Sequence, residues 1–127
     1  MLKKDIAFLL STGKFSEASS YLSKEVKWNI VNDQELNGFI EVQRYFESVS
    51  EYFDTVVTNF KVDEVIENKD KVVVVGTAEF YKDDKLLNVI EACDVYLFEN
   101  NKVKELKSFC ISLDKFNNNW IWILFHE

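Results

Sequence analysis

The chain has 127 residues, of which 47% are hydrophobic, 15% aromatic and 29% charged. This length predicts a single domain with one core over residues 1–127, and the composition argues against a disordered chain. The 22 acidic and 15 basic residues give a formal net charge of -7, and the lysines are scattered along the sequence. Because nucleic acids and anionic membranes bind clustered basic surfaces, we expect neither as a partner.

The first half of the chain predicts three helices and a short strand. Residues 2–12 carry apolar side chains at helical spacing, and Gly13 stands where a helix would end. A short second helix is predicted in FSEASSYLS with Ser16 as its N-cap, a strand over residues 26–31, and a turn in NDQELNG. Asn37 is the predicted N-cap of the third helix. Its predicted apolar face comprises Phe39, Ile40, Phe46, Val49 and Phe53.

After residue 55 the sequence favours strands. Four β-rich stretches, TVVTNFKVDEVIE, KVVVVGTAEFY, LLNVIEACDVYLFE and KVKELKSFCISL, are separated by the short turns NKD, KDDK and NN. Sequential strands joined by turns of this length pair antiparallel. Gly76 lies inside the second stretch and predicts a bend or bulge, so we expect the sheet to be strongly curved.

This order of elements predicts an α+β architecture. Three N-terminal helices would pack on a strongly curved mixed or antiparallel sheet, which forms a cone with an internal pocket. The tail WIWILFHE, with Trp120 and Trp122, is predicted as a last edge strand. Because such an apolar edge needs cover, the tail would close the wide mouth of the cone or lie in a subunit interface.

No segment of the sequence predicts export, membrane insertion or a metal site. The apolar run in MLKKDIAFLLSTGKF is short, follows Asp5 and precedes no small-residue cleavage site, and no stretch reaches the length of a membrane span. Cys93 and Cys110 lack metal-ligand spacing and are interpreted as buried thiols, and His126 is the sole histidine. We therefore expect a cytoplasmic protein without a cofactor.

Three stretches, GKFSEASSYLSKEVKWNI, LNGFIEVQRYF and VIEACDVYLFENNKVKELKSF, resemble the nuclear transport factor 2-like superfamily and, within it, the SnoaL-like branch. With the strands between them they span most of residues 1 to 113. The resemblance implies the cone fold and a homodimer formed through the sheet. It leaves the activity open, because this scaffold hosts isomerases, cyclases, dehydratases, epoxide hydrolases and non-catalytic binding or dimerisation modules.

Ketosteroid isomerases, which share this fold, use three functional groups, and the chain resembles them at one. Asp94, in CDVYLFE, looks like their protonated aspartate. Their base position falls near Trp28, Asn29 and Ile30, and their tyrosine position near Ile6. Polyketide-cyclase-like members often carry an aspartate on the last strand of the meander, where this chain has SFCIS. The resemblance thus implies a pocket without implying either reaction.

Hairpin register decides whether the side chain of Asp94 faces the pocket or the solvent. If Asn100 and Asn101 form a two-residue turn, Asp94 lies opposite Lys107. If one extra residue bulges there, Asp94 lies opposite Ser108 instead. The sequence permits both registers, and we expect the side chain to face the pocket.

We expect a small, largely apolar molecule to bind inside the cone. Strand alternation places Trp28 and Ile30 on one face of their strand, and this apolar face should look inward. The predicted ligand-binding residues are Trp28, Ile30, Tyr52, Asp94, Tyr96, Ser108 and Cys110. Two alternatives stay open: an isomerase-, cyclase- or hydrolase-type enzyme with Asp94 as its catalytic residue, and a non-catalytic dimerisation or interaction module.

Overall fold

A computed structural model of the chain describes residues 1–113. A short 3-10 turn, Ser19–Tyr21, joins the second helix to the first strand. The tail, in which an edge strand is predicted, and His126 lie outside the described residues. The elements in chain order are α1 (Lys3–Ser11), α2 (Phe15–Ala18), β1 (Leu22–Ile30), β2 (Gln34–Asn37), α3 (Phe39–Phe53), β3 (Val57–Asn68), β4 (Lys71–Lys82), β5 (Lys85–Glu99) and β6 (Lys102–Ser112).

The six strands form one mixed, open sheet in the order β2-β1-β6-β5-β4-β3. Strands β3 to β6 are an antiparallel meander, as predicted. Strand β1 pairs parallel with β6 and antiparallel with β2, so the first strand lies beside the last described one. The predicted α+β class, with three helices on a curved mixed sheet, is confirmed.

The helices cover the inner face of the sheet and bury its core. Helix α1 packs on β3, β4 and β5, whereas α3 packs on β1 and β2. The Trp28 ring of β1 stacks on Phe46 of α3 with 4.9 Å between centroids. Burial of a large apolar side chain contributes roughly 1.5–3 kcal/mol, so this stripe of α3 anchors the helix. In residues 1–113 no helix is long and apolar enough to cross a lipid bilayer.

Three predictions about the helices are wrong. Ile40 is 56% exposed. The buried residues of α3 are the predicted Phe46 and Val49 together with Val42 and Tyr45, which the prediction missed. Asn37 belongs to β2 and does not cap α3; Gly38, with φ of 89°, makes the turn, and the Glu41 carboxylate accepts the Asn37 backbone N–H at 3.0 Å. Ser16 lies inside α2, whose N-cap is Lys14.

The predicted limits of the first strands also need correction. Strand β1 begins at Leu22 rather than at residue 26, and part of the segment predicted as a turn forms β2. The composition of Gln34–Asn37 is polar because β2 is an edge strand and buries only Leu36, which pairs with Trp28. Pairing with β1 therefore overrides a local sequence that is typical of a turn.

Gly76 lies where the sheet bends, as predicted. The register between β3 and β4 shifts directly opposite it, between Val62 and Glu64. A Cβ atom at Gly76 would stand 2.7 Å from the carbonyl oxygen of Lys61, so glycine alone allows the two strands to approach so closely. Its cross-strand neighbour Ala92 also has a small side chain, so side chains on the inner face of the sheet project little into the interior at this point.

Candidate functional site

The β5–β6 hairpin places Asp94 on the inner face of the sheet. Asn100 and Asn101 both have positive φ, 52° and 60°, which is typical of a tight two-residue turn between antiparallel strands. The register then shifts by one residue between Leu97 and Phe98, and Asp94 pairs with Ser108. The two features that the sequence presents as alternatives, the tight turn and the bulge, occur together.

A cavity of about 100 Å³, here called the cone chamber, lies between the inner face of the sheet and helices α1 and α3. Asp94 is the only carboxylic acid among the described residues that line it. Its walls are mainly apolar, and its aromatic lining comprises Trp28, Phe46, Phe53, Phe60, Phe80 and Tyr96. In residues 1–113 no three histidine, cysteine, aspartate or glutamate side chains converge as a possible metal site.

A second, smaller cavity of about 50 Å³, here called the side chamber, also reaches Asp94. It lies between the end of α1, at Ser11 and Thr12, and the part of the sheet around Gly76, where the side chains are small. Ser11, Asp94 and Ala92 line both cavities, so the carboxyl group stands where the two chambers meet. Asp94 is deep in the protein and only partly accessible, through these chambers.

Two chains of hydrogen-bond donors end on the Asp94 carboxylate. The Ser11 hydroxyl donates to Asp94 Oδ2 at 2.8 Å and lies 2.6 Å from the Tyr96 hydroxyl. Since a serine hydroxyl carries one proton, Tyr96 donates to Ser11 when Ser11 donates to Asp94. On the other side the Trp28 indole N–H donates to Ser108 Oγ at 2.9 Å. The Ser108 side chain in turn hydrogen-bonds to Asp94.

The enclosed position of Asp94 changes the acidity of the groups around it. Burial raises the pKa of Asp94 above its ordinary value of 3.8 and outweighs the hydrogen bonds from Ser108 and Ser11, which lower it. Burial and then the charge of Asp94 raise the pKa of the Tyr96 phenol well above 10.0. The same two causes lead the rise in the pKa of Cys110 to about 12. Tyr96 and Cys110 are therefore protonated at neutral pH.

The structure brings six of the seven predicted site residues to one place. Tyr52 does not line the cone chamber; its ring packs 6.3 Å from Phe53 and 6.4 Å from Phe80, and the next residue of α3, Phe53, takes the place on the wall. The ligand contacts themselves stay a prediction. The residues that do line the chamber are Trp28, Ile30, Asp94, Tyr96, Ser108 and Cys110.

The two cysteines differ from the prediction of buried thiols. Both are free and only half-buried. Strand alternation places Cys110 on the inner face, opposite Ala92, and Cys93 on the outer face, opposite Phe109. Cys110 is therefore a wall residue of the cone chamber, whereas Cys93 faces away from it.

The sequence analysis missed Ser11, which binds Asp94 across 83 positions of the chain. One signal for it exists in the sequence. Ser11 lies four residues after the fully buried Ala7, so its hydroxyl stands on the face of α1 that packs against the sheet. Ile6, at the position of the isomerase tyrosine, is buried in the core. The phenol near the acid comes from Tyr96 instead, two residues from Asp94 on the same strand.

Neither a scan against protein-family models nor a search among curated proteins gives a match. Solved structures do match. An NTF2-like protein of unknown function from Cytophaga hutchinsonii ATCC 33406 superposes with a TM-score of 0.76 at 26% sequence identity, over 84% of this chain and 94% of that one. The chain has the fold of the nuclear transport factor 2-like superfamily. The superfamily expected from the sequence is thereby confirmed.

This nuclear transport factor 2-like chain is also similar to structures that carry enzyme names. One, provisionally named a SnoaL-like polyketide cyclase, from Jannaschia sp. CCS1, has a TM-score of 0.68 at 11% identity, over 85% of this chain and 84% of that one. An LEH-like epoxide hydrolase from M. tuberculosis has a TM-score of 0.61 at 12% identity, over 82% and 75%. At these identities the likeness shows the fold alone.

The raised pKa of Asp94 predicts a protein that loses stability as the pH rises. The folded state holds the Asp94 proton more tightly than the unfolded chain does, so the free energy of unfolding falls between the unfolded pKa, about 3.9, and the higher folded pKa. Asp94→Asn cannot ionise, and its stability relative to wild type should rise through this window by at most about 1.4 kcal/mol per pH unit. Urea unfolding at several pH values measures the difference.

Glu91→Gln is the matched control for this prediction. It removes an exposed carboxylate from the same strand, on the outer face of the sheet. A pH-dependent gain in Glu91→Gln as large as that in Asp94→Asn would show that burial is not the cause. Parallel stability curves for wild type and Asp94→Asn would also contradict the prediction.

Proposed function

We propose that the chain binds a small, largely apolar molecule in the cone chamber. The observation that carries this proposal is a cavity of about 100 Å³ with mainly apolar walls beside an enclosed carboxyl group. Protein interiors are packed as densely as organic crystals, so voids larger than a water molecule are few. In another protein an apolar cavity of roughly 150 Å³ binds benzene, so the smaller cone chamber limits the buried part of the ligand to at most about one ring.

Asp94 would be the polar contact that orients the ligand, with Trp28, Ile30, Tyr96, Ser108 and Cys110 as its surroundings. An apolar pocket with a few fixed polar groups is the usual form of a small-molecule site. The free thiols of Cys93 and Cys110 fit a reducing compartment, and we place the protein in the cytoplasm.

A side chain that fills the chamber should abolish binding. Ala92 lines both chambers, and Ala92→Leu would place three more carbon atoms there. A single-ring probe such as toluene or indole should raise the melting temperature of the wild type, because a ligand that binds only the folded state stabilises it. The variant should show no such rise.

The ligand-induced shift is the quantity to compare, because overpacking alone destabilises a core by about 1–3 kcal/mol. Cys93→Leu is the matched control, since it adds bulk at the next residue of β5 on the outer face. It should keep the wild-type shift. An equal shift in Ala92→Leu and wild type would place binding elsewhere, and no shift in the wild type would refute ligand binding.

A second candidate function is an enzyme at the same site, favoured by the raised pKa of Asp94 and its hydroxyl partners. Among the described residues no histidine, lysine or arginine lines the cone chamber. Acid–base chemistry here would therefore depend on Asp94, with Ser11 and Tyr96 relaying protons. Related structures named as a polyketide cyclase and an epoxide hydrolase add support from the fold.

Turnover separates this second candidate from simple binding. Wild type and Asp94→Asn should be incubated with single-ring epoxides and ketones, and the products followed by mass spectrometry. If the protein is an enzyme of this kind, the wild type converts a substrate and Asp94→Asn does not. Equal conversion by both proteins would remove Asp94 as the catalytic residue.

We also propose that the chain forms a homodimer through the outer face of the sheet. An outer apolar patch, defined as Ile66, Val75, Val95, Phe109 and Ile111, runs across β3 to β6. Ile66 and Ile111 are 51% and 63% exposed. Phe109 is 38% exposed, whereas Val75 and Val95 are half-buried. Large exposed apolar patches mark interaction sites. The same patch would serve a non-catalytic dimerisation or interaction module.

A charge in the outer apolar patch should shift the protein toward monomer. Ile111→Lys places a lysine at an exposed position of β6, and burial of that charge in an interface is unfavourable. Light scattering coupled to size-exclusion chromatography measures the mass of each form. Ile40→Lys is the matched control, because Ile40 is 56% exposed on α3, away from the sheet. A wild type that is monomeric, or equal masses for wild type and Ile111→Lys, would refute this interface.

A further inference from the structure

We propose that the ligand of the cone chamber is a small protonated amine, whose ammonium group pairs with Asp94 and whose apolar body lies among the aromatic rings. This inference rests on the proposed ligand binding and adds the chemical class of the ligand. It follows from the charges, the hydrogen-bond acceptors and the dimensions of the two chambers.

The Asp94 carboxylate has no cationic partner among the described residues. It accepts hydrogen bonds from the hydroxyl groups of Ser11 and Ser108. Within residues 1–113, Lys61 is the only basic residue that lines either chamber, and its Nζ lies 3.2 Å from the Glu79 carboxylate at the surface. A carboxylate that is enclosed in protein and unpaired is costly, and a cation from the ligand would remove that cost.

Other groups that favour a cation converge on the same point. Helix α1 ends at Ser11, beside Asp94, and has no basic residue in its last turn. The carboxyl end of a helix carries a partial negative charge, which attracts cations. The Thr12 hydroxyl donates to the Phe8 carbonyl at 2.8 Å, so its oxygen is still able to accept.

An ammonium group matches this set of acceptors. It has three N–H donors, and Asp94, Ser11 and Thr12 line the side chamber together. A neutral alcohol or ketone would meet the same acceptors with one donor or none, and would leave the carboxylate without a counter-charge. Because Asp94 is already largely enclosed in the folded protein, much of its desolvation precedes the arrival of the ligand. Binding then adds the attraction between the two charges, which is strong away from water.

The cone chamber supplies the rest of the site. Aromatic side chains form much of the chamber wall, and they would pack against the apolar body of the ligand. The formal net charge of -7 favours the approach of a cation over that of an anion. The volumes, about 100 Å³ and about 50 Å³, match a single-ring body with its ammonium group directed to the side chamber.

Calorimetric titration of the full chain with benzylamine and benzyl alcohol tests the inference. The two probes have nearly the same shape and differ in charge. Near neutral pH the wild type should bind benzylamine at least about tenfold more tightly, which corresponds to about 1.4 kcal/mol. Asp94→Asn should bring the ratio of the two affinities close to one. Glu91→Gln, which removes an exposed carboxylate from the outer face of β5, should keep the wild-type ratio.

A wild type that binds benzyl alcohol as tightly as benzylamine would overturn the inference and leave the proposed apolar binding intact. Failure of both probes and of toluene would overturn the proposed function itself, and the inference with it. If Asp94→Asn does not fold by circular dichroism, the wild type decides alone. Benzylamine affinity should then fall as the pH is lowered and Asp94 takes up a proton, while benzyl alcohol affinity stays constant. A ratio that does not change with pH would overturn the inference.

Discussion

The pairing of Asp94 with Ser108 across the β5–β6 hairpin is the constraint on which the site depends. Side chains of a strand alternate between faces, so a shift of one residue in this ladder would exchange the inner and outer sets of one strand. The bulge between Leu97 and Phe98 removes that ambiguity by adding one residue on the β6 side. It aligns Ala92 with Cys110 and Tyr96 with Leu106, and thereby assembles one wall of the cone chamber.

The empty space beside this wall has a separate origin, in side chains that are small. Gly76 cannot carry a Cβ without meeting the Lys61 carbonyl, and its neighbour across the ladder is Ala92. Helix α1 crosses the sheet where these small side chains lie. The hydroxyl of its final residue, Ser11, donates a hydrogen bond to Asp94 of the sheet. The acid, its hydroxyl partner and the void thus occur together because the same bend in the sheet brings them together. Chemistry at this site follows from the fold and not from a local motif.

Much of the architecture was predictable because it depends on local patterns. Alternation and short turns identify the meander, and helical spacing identifies α1 and α3. The edge strand Gln34–Asn37 was not predictable, because its pairing with β1 is a tertiary contact that overrides polar, turn-like residues. The position of Ile40 shows the same limit, since the partner surface and not hydrophobicity decides which stripe of α3 is buried.

The candidate site was predictable on the strands and unpredictable on the helices. Residues on strands share a face by simple alternation, which brought Trp28, Ile30, Tyr96 and Cys110 to the chamber wall once the inner face was chosen. Tyr52 and Phe53 are adjacent on α3, and helix rotation gives the wall position to Phe53. Ser11 depends on where α1 crosses the sheet, which no local pattern contains.

The parallel pairing of β1 with β6 has a consequence for the rate of folding. The two hydrogen bonds that hold the site together, from Ser11 to Asp94 and from Trp28 to Ser108, join residues 83 and 80 positions apart. Contacts between such distant parts of a chain require the closure of long loops and slow the folding reaction. The meander can pair locally first, whereas the acid meets its partners only after the amino-terminal segment docks. A ligand could therefore bind in the chamber only after the chain has reached its native state, and not in a folding intermediate that contains the meander alone.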